Sequence, residues 1–411
     1  MPGPRVFFLT DLWLPRLGGL ERSIEYLVTA LSDRADVQIL APGPPHEVDG
    51  SVPVPVVRFP ADNCEAWYVK AMRHIEAHRD HRPIVTHFFG FSSAWPQAQA
   101  AAIRHAKRRL GAGVVLKVPT LGDPSRCLSG VHTGLQAVVD GWIALTPAIA
   151  DELLGLGVPG RSVVRLPNGV PLDRYTPVHP LERLRARREL GLPWGNRPVV
   201  GFAGRFVRCK RIDVVIEALE MLPARERPVL ALVGEPDPNC EDAFDPSPYL
   251  CDDVVWVPRR AEMAQVYPAL DAYVSMSESE GMSNAMLESL ASGLPVLASD
   301  IPGHAELVRP GWNGWLFPPR KARALSGCLA DLARVGRAGQ LSRMGQRSRQ
   351  LACRFFDVDV LASRYLDLYG ALASGVRSLP RQPASGTRRT RATSGGHAFA
   401  MRDDELSGQR M

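Results

Sequence analysis

Short apolar runs alternate along this chain with longer segments of helical spacing. The first set is Arg5–Leu9, Val37–Leu40, Ile84–His87, Val114–Val118 and Trp142–Leu145. The second is Val199–Ala203, Val229–Val233, Val254–Val257, Ala272–Ser275 and Val296–Ala298. Near-continuous hydrophobicity over so few residues predicts strands buried on both faces, and helical segments between them predict parallel sheets. Two such sets predict an α/β protein of two Rossmann-like domains facing a central cleft, with ligands at the carboxyl ends of the strands. The expected division is 1–180 for the first domain, 181–197 for a polar linker rich in Pro and Arg, and 198–354 for the second domain. A terminal helix is expected over 355–373, followed by a tail over 374–411. Within the second set, Asn284 to Ala291 predicts a short helix, stopped by Gly293 and Pro295.

Composition narrows this picture. A chain of 411 residues accommodates two domains of ordinary size. No apolar run reaches the length needed to span a bilayer, and the N-terminal apolar run is broken early by Asp11, unlike a signal peptide. Seven cysteines, odd in number and without a Cys-x-x-Cys pair, argue against a disulfide framework or a zinc site. A cytoplasmic protein is expected. The net charge of +6 comes mostly from residues 376–411, where seven arginines face three acids. Without that Ser-, Gly- and Arg-rich segment, which reads as disordered, the body is nearly neutral and the argument for nucleic-acid binding disappears. The basic run Arg104–Arg109 reads either as a solvated helix face or as a peripheral contact with an anionic membrane at its inner face.

The chemistry concentrates in Ser277-Glu278-Ser279-Glu280-Gly281-Met282-Ser283-Asn284-Ala285-Met286-Leu287-Glu288. Glu280 falls in the loop before the predicted helix and Glu288 about one turn inside it. The amides of Met282, Ser283 and Asn284 open the helix, where hydrogen bonding and the helix dipole both favour a phosphate. A diphosphate there has a carboxylate on each side, ready to accept bonds from sugar hydroxyls. Taken alone, two acids flanking a helix are ordinary surface residues; the surrounding sequence decides otherwise. In Gly201-Phe202-Ala203-Gly204-Arg205-Phe206-Val207-Arg208-Cys209-Lys210-Arg211, a strand ends at Ala203, and Arg205 and Lys210 flank the turn that follows. Cleaving a sugar–phosphate bond leaves extra negative charge, which a guanidinium grips bidentately and an ammonium meets as a compact charge. Arg208 and Arg211 read as solvated neighbours.

These motifs, with Gly293-Leu294-Pro295-Val296, Gly303-His304-Ala305-Glu306 and Asn313-Gly314 downstream, closely resemble the retaining glycosyltransferases of family 4. Pro15-Arg16-Leu17-Gly18-Gly19-Leu20-Glu21 resembles that family's glycine-rich loop facing the donor phosphates, and Val163 to Val170 its strand and turn at the interdomain crossing. The resemblance implies the GT-B fold, with the segment from Phe355 to Leu372 returning to the first domain. It further implies a nucleoside-diphosphate sugar as donor and a glycan, lipid-linked or small-molecule acceptor. By this resemblance Glu288 holds the ribose hydroxyls and Glu280 the donor sugar. Arg205 and Lys210 neutralise the diphosphate in place of a metal, so neither cofactor nor metal is expected. Catalytic roles fall to Glu280, Arg205 and Lys210. Donor contacts fall to Gly18, Gly19, Gly204, Arg205, Lys210, Glu280, Gly281, Met282, Ser283, Asn284 and Glu288. Front-face attack by the acceptor, with the departing phosphate taking its proton, is the mechanism inferred for such enzymes.

One departure stands out. Many family members carry a His after the strand that here reads Val114–Val118, where this chain has Pro119-Thr120-Leu121-Gly122-Asp123. His87 is either a substitute or a packed core residue. Trp13, His87 and Asp123 are the acceptor-side candidates. The Asp357-x-Asp359 pair opens the terminal helix and reads as a helix cap rather than a metal site. A sugar-nucleotide epimerase or hydrolase of the same fold, a phosphorylase, and a non-catalytic sugar-nucleotide-binding protein are the competing readings.

Overall fold

In the computed structural model, the described residues are 3–375 apart from 12, 14–17, 45–51, 61–65, 194, 196, 238–239 and 259–261. The tail over 376–411 and Pro15–Leu17 of the glycine-rich segment lie outside them. The first sheet contains β1 (Arg5–Leu9), β2 (Asp36–Pro42), β3 (Val56–Phe59), β4 (Ile84–Phe89), β5 (Gly113–Val118), β6 (Gly141–Ala144) and β7 (Val163–Arg165). Its order is β3-β2-β1-β4-β5-β6-β7. The second contains β8 (Val199–Phe206), β9 (Val229–Pro236), β10 (Val254–Val257), β11 (Ala272–Ser275), β12 (Val296–Ser299) and β13 (Gly314–Phe317), ordered β10-β9-β8-β11-β12-β13. Every pairing between these strands is parallel. The chain therefore reverses its winding beside β1 in one sheet and beside β8 in the other. Crevices for ligands open there, at the carboxyl ends. The fold is the α/β, two-domain architecture expected from the alternating pattern.

All six positions of β4 and of β5 are buried, as strands covered on both faces require. One face of the first sheet packs Phe8, Phe89 and Val115 against Leu361, Tyr365 and Tyr369 of the C-terminal helix Val358–Ala373. That helix starts later than the hydrophobic pattern suggests. A separate helix, Leu341–Phe355, ends first, and the Asp357 carboxylate then caps the new one by accepting from the Asp359 amide at 2.9 Å. The Asn168-Gly169 turn crosses directly under this start, since a Cβ on Gly169 would lie 2.7 Å from Val358 Cα.

Part of the expected linker is ordered differently from the sequence reading. Pro180–Glu189 forms a helix with a capping box between His179 and Glu182. Arg183 and Arg187 attach it to Asp271, at 2.9 and 2.5 Å. Asp271 in turn accepts from the Val199 amide at 2.7 Å, which fixes this helix to the start of the second sheet. Its sequence carries no apolar stripe, and ion pairs rather than a buried face hold it. Among the described residues no helix is long and apolar enough to cross a membrane.

Candidate active site

Strand β8 runs past Ala203 to Phe206, so Arg205 sits on the strand, opposite Glu235 of β9. Its guanidinium Nη1 donates to Asp237 at 2.7 Å, while 48% of the side chain stays exposed. Lys210 closes the short helical turn Arg208–Lys210, which points its ammonium back across the strand ends to an ion pair with Glu280. Ser277 Oγ donates to the same Glu280 oxygen at 2.9 Å. Burial alone pushes the Glu280 carboxyl up. Lys210, His304 and Ser277 outweigh burial and hold it below its ordinary range, so it is a carboxylate at neutral pH. Arg211, expected to be a solvated neighbour, instead bonds Asp213 at 2.8 Å and Glu278 at 2.9 Å. Arg320 grips Glu278 from the other side with two bonds of 2.6 and 2.7 Å. These pairs brace the loop that carries Glu280.

Gly281 is required by contact. A Cβ there would run into the carbonyl oxygen of Pro119, in the first-domain loop that replaces the family's His segment. The helix Asn284–Ala291 begins just beyond, capped by Ser283 Oγ, which accepts from the Met286 amide at 3.3 Å. The remaining first-turn amides have no partner within the helix. Gly18 and Gly19 open the helix Gly19–Leu31 on the facing domain, and Asn284 Nδ2 donates to the Gly19 carbonyl. The Met282 carbonyl accepts from Asn168 Nδ2 at 3.3 Å. The Oδ1 atoms of both asparagines are buried without a partner among the described residues. Gly204 takes a positive φ of 153° where the end of β8 passes Gly234.

Glu288 is 4% exposed, and Tyr26 and Tyr267 donate to its two oxygens at 2.7 and 2.8 Å. Burial raises its pKa; the two hydroxyls, Arg22 and Arg174 oppose the rise. Tyr26 and Tyr175 hydroxyls lie 2.7 Å apart. Sequence reasoning missed these tyrosines and Asp237, and it gave Ser277 and His304 only as parts of motifs, without a role. A tyrosine seven residues beyond Gly19 carries no local signal; it matters only because two helices from different domains lie side by side.

The acceptor-side candidates fare unevenly. For His87 the packed-core alternative holds, which corrects its place among the acceptor-side candidates. It is 0% exposed, its Nδ1 bonds the Tyr369 hydroxyl at 2.8 Å, and its ring stacks on Phe89, so it belongs to the core under the C-terminal helix. Trp13 is also buried, with its indole N–H lacking a partner among the described residues. Asp123 opens the helix Asp123–Leu128 and pairs with Arg126 at 2.6 Å; burial raises its carboxyl pKa, with Arg126 opposing. In the basic run, Arg104 bonds the Thr133 carbonyl and Lys107 bonds Asp140, which leaves Arg108 and Arg109 exposed. Among the described residues no cluster of His, Cys, Asp and Glu is placed to hold a metal ion.

This arrangement brings two cations, a helix N-terminus and two acids to the carboxyl ends of the second sheet, facing the glycine-rich start of the first domain. Comparison with known proteins gives the family. Residues 17–174 match the family model Glycosyltransferase Family 4, and residues 197–334 match Glycosyl transferases group 1. The chain is similar to a GDP-mannose-dependent alpha-mannosyltransferase of Mycobacterium tuberculosis (strain CDC 1551 / Oshkosh), 28% identical over 340 residues, 77% of this chain and 85% of that one. It is 33% identical over 233 residues to a D-inositol 3-phosphate glycosyltransferase of Nocardia farcinica, covering 53% of this chain but only 50% of that relative. Among solved structures, Anabaena Alr3699/HepE in complex with UDP superposes with a TM-score of 0.72 at 19% identity, covering 88% of this chain and 98% of that one. Sucrose-phosphate synthase from Thermosynechococcus elongatus gives 0.73 at 21%, covering 90% and 100%; at such identities the likeness concerns the fold. The two family segments together span most of the chain, which therefore belongs to glycosyltransferase family 4 and is a glycosyltransferase of the GT-B fold.

Proposed function

We propose that this enzyme is a retaining, metal-independent glycosyltransferase that takes its sugar from a nucleoside-diphosphate sugar. The observation that carries the reading is the Lys210–Glu280 pair beside the start of the Asn284–Ala291 helix, with Arg205 on the adjoining strand end and Glu288 one turn inside the helix. A donor diphosphate between Arg205, Lys210 and the helix amides meets fixed positive potential without solvent reorganisation. Glu280 accepts from the sugar hydroxyls, and Glu288 from the ribose. Both cations are held by acids, Arg205 by Asp237 and Lys210 by Glu280, which pre-orients them and leaves each with further N–H groups to donate to a diphosphate. As the sugar–phosphate bond breaks, its electrons pass to the diphosphate, which Arg205 and Lys210 stabilise. The acceptor oxygen bonds to the anomeric carbon on the same face, and its proton goes to the departing phosphate oxygen.

An inverting reaction needs a general base on the opposite face. Of the two candidate bases, His87 is packed in the core and Asp123 is paired with Arg126, which supports retention. GDP-mannose, on which one relative depends, is the first to try, with UDP sugars second. The test is turnover of these donors against a panel of polyol, lipid-linked and glycan acceptors. The anomeric configuration is then read from the one-bond carbon–hydrogen coupling at C1 of the product. An α-linked donor giving a β-linked product overturns the mechanism. Release of free sugar without any acceptor product points to a hydrolase.

A further inference from the structure

Each oxygen of Glu288 already accepts a tyrosine hydroxyl. Tyr26 donates to Oε1 at 2.7 Å and Tyr267 to Oε2 at 2.8 Å. Two hydroxyl donors, one on each oxygen of a single carboxylate, are what the vicinal diol of a ribose would supply. The two phenols have different attachments. Tyr267 belongs to the second domain, is fully buried, and lies within 3.0 Å of the Ala285 carbonyl on the helix that carries Glu288. Tyr26 belongs to the first-domain helix Gly19–Leu31. Its bond to Glu288 therefore exists only while the two domains are together.

Other contacts close the same end of the cleft. Arg174, on the connection between the domains, reaches Glu262 of the second domain at 2.9 Å and Glu25 of the Tyr26 helix at 3.7 Å. Its guanidinium lies 5.9 Å from the Tyr26 ring and 5.8 Å from the Tyr175 ring. With Glu288 only 4% exposed, a ribose has no route to the carboxylate unless one of its hydroxyl partners withdraws.

We propose that Tyr26 is a determinant of donor affinity: its hydroxyl occupies the Glu288 oxygen that the ribose of an entering nucleotide takes, so nucleotide binding has to break this interdomain bond. The proposal rests on the assignment of Glu288 to the ribose. A competing internal bond lowers apparent affinity by the fraction of molecules in which it is formed. Tyr26→Phe keeps the ring and its packing while removing the competing donor.

The experiment is calorimetric titration of wild type and Tyr26→Phe with GDP, UDP and their 2′-deoxy counterparts, alongside small-angle scattering of both free proteins. The expected result is a tightening of ribonucleotide binding by about tenfold in the variant, the scale of one hydrogen bond to a charged acceptor. A larger radius of gyration for the free variant should accompany it. Unchanged or weaker ribonucleotide binding by Tyr26→Phe, with wild type binding normally, overturns the proposal. If wild type binds the ribonucleotides and their 2′-deoxy counterparts equally well, the assignment of Glu288 to the ribose is what has failed. Scattering then decides whether Tyr26 holds the domains together: expansion of the variant supports the contact, and identical curves overturn it.

Discussion

Replacing Lys210 with methionine separates the catalytic role of the Lys210–Glu280 pair from its structural one. The two side chains are 23% and 16% exposed, so the pair is largely withdrawn from water. Removing one member of a buried pair costs 3–5 kcal/mol; the residual exposure places this one at about 3 kcal/mol. In the wild type the Glu280 carboxyl titrates below its ordinary 4.5, so its contribution to stability is present above that pH and lost as pH falls through the lowered value. Without Lys210, burial dominates and lifts the carboxyl above 4.5. Its contribution then reverses: stability is retained in acid and lost as pH rises toward the raised value. Urea unfolding at pH 4 and pH 8 should therefore show a wide gap between wild type and variant at pH 8 that narrows at pH 4.

Turnover should fall by about 10²–10³, the scale of removing one preorganised stabiliser of developing charge. The double variant Lys210→Met/Glu280→Gln removes both charges and leaves an amide that Ser277 can still bond, so it should recover most of the stability at pH 8 but none of the turnover. If the double variant regained stability and turnover together, or if Lys210→Met kept wild-type kinetics, Lys210 would be structural and the leaving-group role would be wrong.

The fold was legible because buried parallel strands announce themselves as short continuous apolar runs. The exceptions have physical causes. Strands β3 and β13 are four residues each and sit at sheet edges. β3 contains Arg58, and β13 follows the Asn313-Gly314 motif so closely that it reads as part of a turn. The Pro180–Glu189 helix was invisible because ion pairs to Asp271, not an apolar stripe, hold it in place. In the site, each residue that lies within a compact motif (Arg205, Lys210, Glu280, Glu288) was nameable, because chemistry and spacing occur together in one short segment. Their partners were not. Tyr26 reaches Glu288 across 262 positions of chain, a contact that exists only after both sheets have folded and come together. His87 stayed open between two readings because the end of a strand and the interior of a core share one local pattern; only the C-terminal helix, arriving from 282 residues away, decides between them.

Glu288→Ala should weaken nucleotide binding by about 1.5–3 kcal/mol with a smaller effect on turnover, whereas Glu280→Ala should mainly lower turnover. Titration calorimetry and steady-state kinetics separate the two, and identical profiles for both variants would contradict the assignment. Activity should persist in EDTA, because Arg205, Lys210 and the helix start supply positive potential at the diphosphate; complete loss restored by magnesium or manganese would count against that. The last expectation concerns Glu306, which lies 3.7 Å from Arg165 across the domain boundary, with 16% of its side chain exposed. Burial pushes its carboxyl up to about 7, and Arg165 only partly offsets the rise. Because the folded value lies above the ordinary 4.5, the group favours folding in acid and opposes it increasingly between pH 4.5 and 7. Glu306→Gln removes the buried charge while keeping a side chain of the same size. It should leave stability unchanged at pH 4 and raise it by about 1–3 kcal/mol at pH 8. Paired urea melts at the two pH values read the difference directly. A variant destabilised at pH 8 would mean that attraction to Arg165 outweighs burial, and that Glu306 is a charged tie between the domains at neutral pH.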